Sequence, residues 1–142
     1  MESDSHLDSQ IKEFYQLKNI AVVGVSKNEE KPSHQVPKYL VEHGYNVIPV
    51  NPTLSEVLER KAYPTIADIP EKIDIVDVFR KPEDVSAVIE DVLKKKDRIK
   101  VFWMQLGIYN EDAGRKAKEN GIDVVYNRCM MEEHKRLFDD EE

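Results

Sequence analysis

Five short apolar runs, each separated from the next by a segment with helical spacing, constrain this chain more than any other feature. Runs without a polar face are typical of strands in a parallel sheet, because helices cover both of its sides. Right-handed crossovers between such strands favour a doubly wound arrangement. We therefore predict an α/β fold, with three α/β/α layers around a five-stranded parallel sheet of order 3-2-1-4-5. The predicted strands span residues 20–25, 46–50, 73–79, 100–104 and 122–126.

Glycine and proline signals place the helices between these runs. Gly44 and Gly121 suit the position just after a helix, and Pro82 suits a first helical residue. Pro37 is assigned to the first turn of its helix, where a missing N–H costs little. A single domain over residues 1–142 is expected, with an acidic tail at 139–142. Helices are predicted at 5–17 (a short leading helix), 33–43, 82–96, 110–120 and 131–138, with a shorter one at 55–59.

Composition excludes several classes of protein. The formal net charge of -7 argues against binding to nucleic acid or to an anionic membrane surface. The single cysteine, Cys129, excludes an intrachain disulfide framework and suits a reducing cytoplasm. Apolar runs of about five residues are far short of the roughly 20 that a membrane span requires. The polar, acidic start of the chain does not resemble a signal peptide, so a cytoplasmic location is expected.

The segment after the first strand has the character of an anion site. Ligands of doubly wound sheets bind outside the carboxyl ends of the strands, so the five strand exits are the candidate site. Gly24 permits close approach of a ligand, Ser26 offers a hydroxyl, and the following helix begins with free N–H groups. The residues that we expect to bind here are Gly24, Val25, Ser26, Lys27 and Lys31.

The exit of the second strand argues against an ordinary dinucleotide site. Sheets that bind NAD usually carry Asp or Glu there, to accept hydrogen bonds from the ribose hydroxyls. This chain has the neutral pair Asn51 and Pro52 instead, and its first loop lacks the second and third glycines of the G-x-G-x-x-G pattern. An extended dinucleotide pyrophosphate loop is therefore disfavoured, although a regulator that binds NAD(P) stays an alternative.

Four motifs, in this order and spacing, carry a resemblance to a known family. The chain resembles the small stand-alone CoA-binding proteins over about residues 16 to 138, and these are similar to the CoA-binding domain of the succinyl-CoA synthetase α subunit. Two positions depart from the family pattern: Glu59 stands where members often have glycine, and Asn127 where they often have aspartate. The motifs are V-N-P at 50–52, D-V-F-R at 77–80, W-x-Q-x-G at 103–107 and N-R-C-x-x-x-E-H at 127–134.

The resemblance implies a Rossmann-like fold with coenzyme A as the cofactor, lying across the strand ends. Phosphate oxygens would meet Gly24, Ser26 and Lys27. The remaining contacts that it implies are Val50, Asn51 and Pro52 beside the adenosine half, Phe79 and Arg80 at the nucleotide or the start of pantetheine, Gln105 and Gly107 along the channel, and Asn127 and Arg128 at its far end.

The strand exits supply binding groups but no combined nucleophile, base and orienting residue. The leading hypothesis is therefore non-catalytic binding of coenzyme A or an acyl-CoA. The alternatives are an acyl-CoA-dependent enzyme that uses Cys129 or His34, and an NAD(P)-binding redox-sensing regulator.

Cys129 is interpreted as a buried structural thiol, while Asp74 and Asp77 are interpreted as strand-edge charges. No metal-ligand spacing is present, and the apolar residues of the leading helix suggest a homodimer or a partner enzyme.

Overall fold

The computed structural model describes residues 1–95 and 99–138, so the predicted acidic tail lies outside the described residues, as does residue 96, the last of the predicted helix 82–96. The helices predicted at 5–17, 82–96 and 110–120 are shorter by one to four residues at each end, the helix at 131–138 begins one residue earlier, and the helix at 33–43 is shifted by one residue. The elements in chain order are α1 (Asp8–Phe14), β1 (Asn19–Val23), α2 (Pro32–Glu42), β2 (Asn46–Val50), β3 (Glu56–Val57), β4 (Arg60–Lys61), β5 (Ile75–Val78), α3 (Val85–Val92), β6 (Val101–Met104), α4 (Glu111–Glu119), β7 (Asp123–Val125) and α5 (Met130–Phe138), with 3₁₀ turns at Ile66–Asp68 and Pro82–Asp84.

Five parallel strands form the central sheet, as predicted. Every neighbouring pair in the order β2-β1-β5-β6-β7 is parallel. Helices α1, α2 and α5 bury their apolar residues against one face, which we call the front face, and α3 and α4 bury theirs against the opposite, back face. The α/β class and the Rossmann-like, three-layer arrangement are therefore confirmed.

The predicted order of the strands is wrong. Counted in chain order, the five sheet strands lie 2-1-3-4-5 and not 3-2-1-4-5, because β5 pairs with β1 on the side away from β2. The connection after β2 explains the difference. Its Ile66, Ile69 and Ile73 are buried on the back face, opposite to α2. A right-handed crossover on that face carries the chain back past β1, so the direction of winding reverses between β1 and β5.

The helix predicted at 55–59 is also wrong, because this segment forms the antiparallel hairpin β3–β4. Leu58 and Glu59 occupy its two-residue turn with φ values of 56° and 59°. Positive φ at both positions is the geometry of a type I′ turn, which normally selects glycine or asparagine. A five-residue run of mixed polarity carries too little periodicity to distinguish a helix from such a hairpin.

We expect Glu59→Gly to stabilise the protein by about 1 kcal/mol, because the left-handed region costs a residue with a Cβ roughly 1–2 kcal/mol. Glu59 is exposed, so the substitution removes little packing. The free energy of unfolding in urea measures the effect. Glu56→Gly, on the strand of the same hairpin, is the matched control and should destabilise the protein. A loss of stability in both variants would contradict the assignment of strain to the turn.

Asp77 is fully buried in the middle of β5, contrary to its interpretation as a strand-edge charge. It lies beside Val22 and Trp103 in the sheet, and neither carboxyl oxygen has a hydrogen-bond partner among the described residues. Burial raises the pKa of this carboxyl well above its ordinary value. The folded protein therefore holds a proton on Asp77 that the unfolded chain releases near pH 4.

The contribution of Asp77 to the free energy of unfolding should fall as pH rises above about 4, because at this residue the folded state keeps a proton that the unfolded state has released, until the raised pKa of Asp77 is passed. In Asp77→Asn that contribution disappears. We expect the difference in stability between variant and parent to grow by up to about 1.4 kcal/mol per pH unit across this window. Denaturation at pH 5, 6.5 and 8 measures it, with Asp123→Asn, at an exposed strand position, as the control. Parallel curves for parent and Asp77→Asn would contradict the assignment.

Candidate functional site

The candidate site lies at the carboxyl ends of β1 and β5, where the winding of the sheet reverses. Gly24 follows β1 with φ at 89°, and a Cβ on it would lie 2.2 Å from the carbonyl oxygen of Phe79. The same residue donates its N–H to the carbonyl of Val50 at 2.9 Å. Only glycine fits here, so the exits of β1, β2 and β5 are held at close range.

The loop between β1 and α2 is fixed by two hydrogen bonds to the helix that follows it. Pro37 lies in the second turn of α2, not in the first as predicted, and it has no N–H to offer the carbonyl of Ser33. That carbonyl accepts the N–H of Ser26 instead, at 3.2 Å. The ring of His34 is buried, and its Nδ1 lies 2.7 Å from the carbonyl oxygen of Ser26, so Nδ1 carries the proton and donates it. His34 is therefore a loop anchor.

The fixed loop still presents groups that suit an anion. The Ser26 hydroxyl accepts the N–H of Asn28 at 3.0 Å, which leaves its own proton available to donate. Lys27 and Lys31 are exposed on either side of the loop. Val25, by contrast, is fully buried and faces the front core.

Two cavities open from this point, one on each face of the sheet. The front cavity, of about 570 Å³, lies between the first turns of α2 and α5. The back cavity, of about 320 Å³, lies between the exit of β2 and α3. Arg80 lines both cavities, and its side chain packs beside Gly24. The two cavities therefore adjoin at Arg80, and together we call them the groove over the strand ends.

Charge is unevenly distributed along this groove. Lys31, Arg80 and Lys81 line the end of the front cavity nearest β1 and β5, while Glu132 stands at the other end. Lys94 adds a cation to the back cavity, and Asp91 adds a carboxylate that accepts the N–H groups of Ile66 and Ala67. No carboxylate within residues 1–95 and 99–138 forms an ion pair with Arg80. The centre of the groove is therefore cationic and open to an anionic ligand.

The groove brings together seven of the fourteen predicted site residues. Phe79 and Gln105 line the front cavity, and Arg80 lines both. Asn51 lies behind the groove, because its Nδ2 donates to the Val25 carbonyl at 2.8 Å and its Oδ1 accepts from Thr53. The seven that line a cavity are Gly24, Lys31, Val50, Pro52, Phe79, Arg80 and Gln105.

Asn127 and Arg128 face the first residues of the chain rather than the groove. Arg128 Nε and Nη2 bind the carboxylate of Asp4 at 3.1 and 3.0 Å, and both side chains are largely buried. Asn127 Oδ1 accepts the N–H of Gly107 at 2.7 Å, and its Nδ2 donates to the carbonyl of Met1. These residues hold the amino-terminal segment against the exits of β6 and β7.

Cys129 lies in the wall of the front cavity but is not an activated nucleophile. Burial raises the pKa of its thiol, and Arg128, the neighbouring cation, is occupied by Asp4. Gln105 lies 3 % exposed beside it, with Oε1 accepting the N–H of Met130. These observations favour the interpretation of Cys129 as a structural thiol.

Several residues of the groove were missed from the sequence. Leu106 stood inside a strand exit that was already singled out, and its apolar side chain in a predicted loop was the available signal. Lys81 directly follows Arg80 in the exit of β5, and its positive charge was the available signal. The other missed residues that line the front cavity toward α5 are Ile108, Met131 and Glu132.

No group of three or more His, Cys, Asp or Glu side chains could hold a metal ion in the described part of the chain. The helices described are also too short, or too polar, for any of them to traverse a bilayer.

Comparison with known proteins assigns this arrangement to a family. Residues 18–135 match the CoA binding domain. The uncharacterized protein YneT of Bacillus subtilis is 42% identical over 89% of this chain and 93% of its own length. A hypothetical protein from Pyrococcus horikoshii, of known structure, has a TM-score of 0.88 and 46% identity, over 96% of this chain and 99% of that one. The α subunit of an ADP-forming acetate–CoA ligase of Pyrococcus furiosus is 32% identical over 87% of this chain, which spans 30% of that subunit.

Gly24→Ala and Gly44→Ala form a matched pair that tests the contact between the β1 and β5 exits. Both glycines have φ near 88°, but a Cβ on Gly44 would meet open space. We expect Gly44→Ala to lose about 1–2 kcal/mol of stability from backbone strain alone. Gly24→Ala should lose a further 1–3 kcal/mol, as overpacking does, because its Cβ would strike the Phe79 carbonyl. Equal losses in thermal or urea unfolding would show that the two exits are not in contact.

Proposed function

The chain belongs to the CoA binding domain family, and we propose that it binds coenzyme A, free or acylated, along the groove over its strand ends. In this arrangement the nucleotide half lies in the back cavity and the pantetheine arm in the front cavity. Arg80 and the loop at Gly24 and Ser26 hold the pyrophosphate between them. The position of Arg80, which lines both cavities and packs beside Gly24, carries the proposal.

The distribution of charge supports this ligand. Coenzyme A is long, with its phosphates near one end and an arm that is largely uncharged beyond them. The groove has its cations, Lys31, Arg80 and Lys81, beside the Gly24 loop, and its apolar wall further along. Each charge-assisted hydrogen bond contributes about 1.5–3 kcal/mol net. Two or three of them outweigh the diffuse repulsion of a protein with net charge -7, because salt screens that field beyond roughly 8–10 Å.

The apolar contacts suit the remaining parts of the ligand. Val50 and Pro52 border the back cavity and provide a surface for the adenosine half. Phe79 lies at the start of the front cavity, and the amide of Gln105 is the polar group nearest the pantetheine amides. Lys27 is exposed beside the loop and adds charge there. Asn51 contributes indirectly, by holding the Val25 carbonyl and the β2 exit together.

We propose that binding is not accompanied by catalysis in this chain. The match covers 30% of the ligase subunit that resembles this chain, so it concerns a minor part of that enzyme. Within the groove of the described residues, the nucleophile at hand is Cys129, whose pKa is raised by burial. His34 is committed to the Ser26 carbonyl through Nδ1. Neither side chain has the partners that acyl or phosphoryl transfer would require.

An NAD(P) site is the less favoured candidate on this fold. Its ribose would need an acceptor at the exit of β2, where Asn51 already uses its Oδ1 to accept from Thr53. The two-sided groove also suits a ligand with one nucleotide and one long arm better than a ligand with two nucleotides. Coenzyme A is therefore the ligand that the site supports best.

We expect Arg80→Ala to weaken the binding of coenzyme A by about tenfold to a hundredfold, because it removes a charge-assisted contact at the centre of the groove. The salt dependence of the affinity should become shallower for the same reason. Isothermal titration calorimetry of coenzyme A at three salt concentrations measures both quantities. Arg115→Ala, on the far surface of α4, is the control and should bind as the parent does.

The ligand itself is tested on the parent protein by thermal shift with coenzyme A, acetyl-CoA, NAD and NADP. A ligand present at 100 times its dissociation constant stabilises the folded state by about 2.7 kcal/mol. A shift with NAD or NADP, and none with coenzyme A, would overturn the proposed function. An Arg80→Ala variant with unchanged affinity at low salt would remove Arg80 from the site.

A further inference from the structure

We propose that the front cavity recognises an acyl-CoA with an uncharged, apolar acyl group, in preference to free coenzyme A or to an acyl group that ends in a carboxylate. The inference rests on the proposed function and specifies the ligand of the same site. It is carried by the exposed side chain of Leu106 at the end of a cavity whose cations all lie at the opposite end.

The two ends of the front cavity differ in charge, and this difference sets the direction in which coenzyme A lies in it. Its cations come from the loop before α2 and from the exit of β5, and they fix the phosphates at that end. The pantetheine arm must then run toward the exits of β6 and β7, past Gln105 and Cys129. The sulfur therefore arrives near Leu106, and whatever is bonded to it lies beyond Cys129, at the rim of the cavity.

The rim is apolar where that group would lie. Leu106 is 59% exposed, although it lies two residues after the end of a strand whose residues are all buried. The other large apolar side chains that are this exposed in the described residues, Met1 and Leu7, belong to the amino-terminal segment. Ile108 and Met131 are half-buried and line the same end of the cavity. An apolar acyl group would cover Leu106, whereas free coenzyme A would leave it in water.

The charge at this end argues against an acyl group with its own carboxylate. Glu132, in the first turn of α5, lies at the rim, and the cations of the cavity are occupied by phosphate at the other end. A terminal carboxylate would meet Glu132 without a compensating cation. Charge and apolar surface therefore select the same class of ligand: an anionic head, a polar arm and a short apolar tail.

Titration of coenzyme A, acetyl-CoA, butyryl-CoA and succinyl-CoA into the full chain tests this inference. Each buried methylene strengthens binding by about threefold to fourfold. We expect butyryl-CoA to bind at least about tenfold more tightly than free coenzyme A, and succinyl-CoA to bind more weakly than butyryl-CoA by a similar factor. Leu106→Ser should remove most of the advantage of butyryl-CoA. Glu132→Gln should strengthen binding of succinyl-CoA relative to butyryl-CoA.

Leu7→Ser is the matched control, because Leu7 is as exposed as Leu106 but lies in the amino-terminal segment. It should leave the preference for butyryl-CoA unchanged. Circular dichroism of each variant checks that it folds, and both leucines are on the surface. A preference that survives Leu106→Ser would overturn the assignment of the acyl group to this rim.

Failure of this inference and failure of the proposed function give different results. If coenzyme A binds and butyryl-CoA binds no better, the preference for an acyl group is wrong while the proposed function stands. If the parent is a dimer that Leu106→Ser dissociates, and butyryl-CoA has no advantage, Leu106 belongs to a contact between copies and the inference is overturned. If none of the four ligands binds, the proposed function is itself overturned.

Discussion

The contact between the backbones of Gly24 and Phe79 is the constraint on which the site depends. A Cβ on Gly24 would lie only 2.2 Å from the carbonyl oxygen of Phe79, so the exits of β1 and β5 are at a distance that only glycine permits. The winding of the chain reverses between these two strands, so the helices that follow them leave on opposite faces. One cavity opens on each face, and Arg80 lies where they meet. A groove for a long ligand thus follows from one close approach of two strand ends.

The strands were predictable because burial on both faces leaves a simple trace, an unbroken apolar run. The order of the strands was not predictable, because it depends on which face of the sheet the segment after β2 covers. Ile66, Ile69 and Ile73 are equally apolar whichever face they bury against, so tertiary packing alone makes that choice. The hairpin at Leu58 and Glu59 was missed for a different reason. Its turn uses residues that rarely adopt positive φ, so local propensity pointed away from the conformation that the fold imposes.

The site was predictable to the extent that it consists of strand exits. Parallel strands end at one edge, and so Gly24, Phe79 and Gln105 lie along the same groove. Arg128 shows where this reasoning stops. A cation at a strand exit suits a phosphate, but Arg128 binds the carboxylate of Asp4 instead. Asp4 precedes it by 124 residues in the sequence. Asp77 shows a second limit. The sequence does not indicate that this acidic residue lies on the central strand of the sheet, where burial raises the pKa of its carboxyl and keeps it protonated.

The pairing of Asp4 with Arg128 also bears on the synthesis of the chain. Asp4 is synthesised 124 residues before the arginine that binds it, and Asp8 binds Arg136 across a similar separation of 128 residues. At about 5–20 residues per second, Asp4 waits roughly 6–25 s before Arg128 is made. The segment that carries Asp4 therefore stays undocked until Arg128 has been made, so its attachment is a late step in folding.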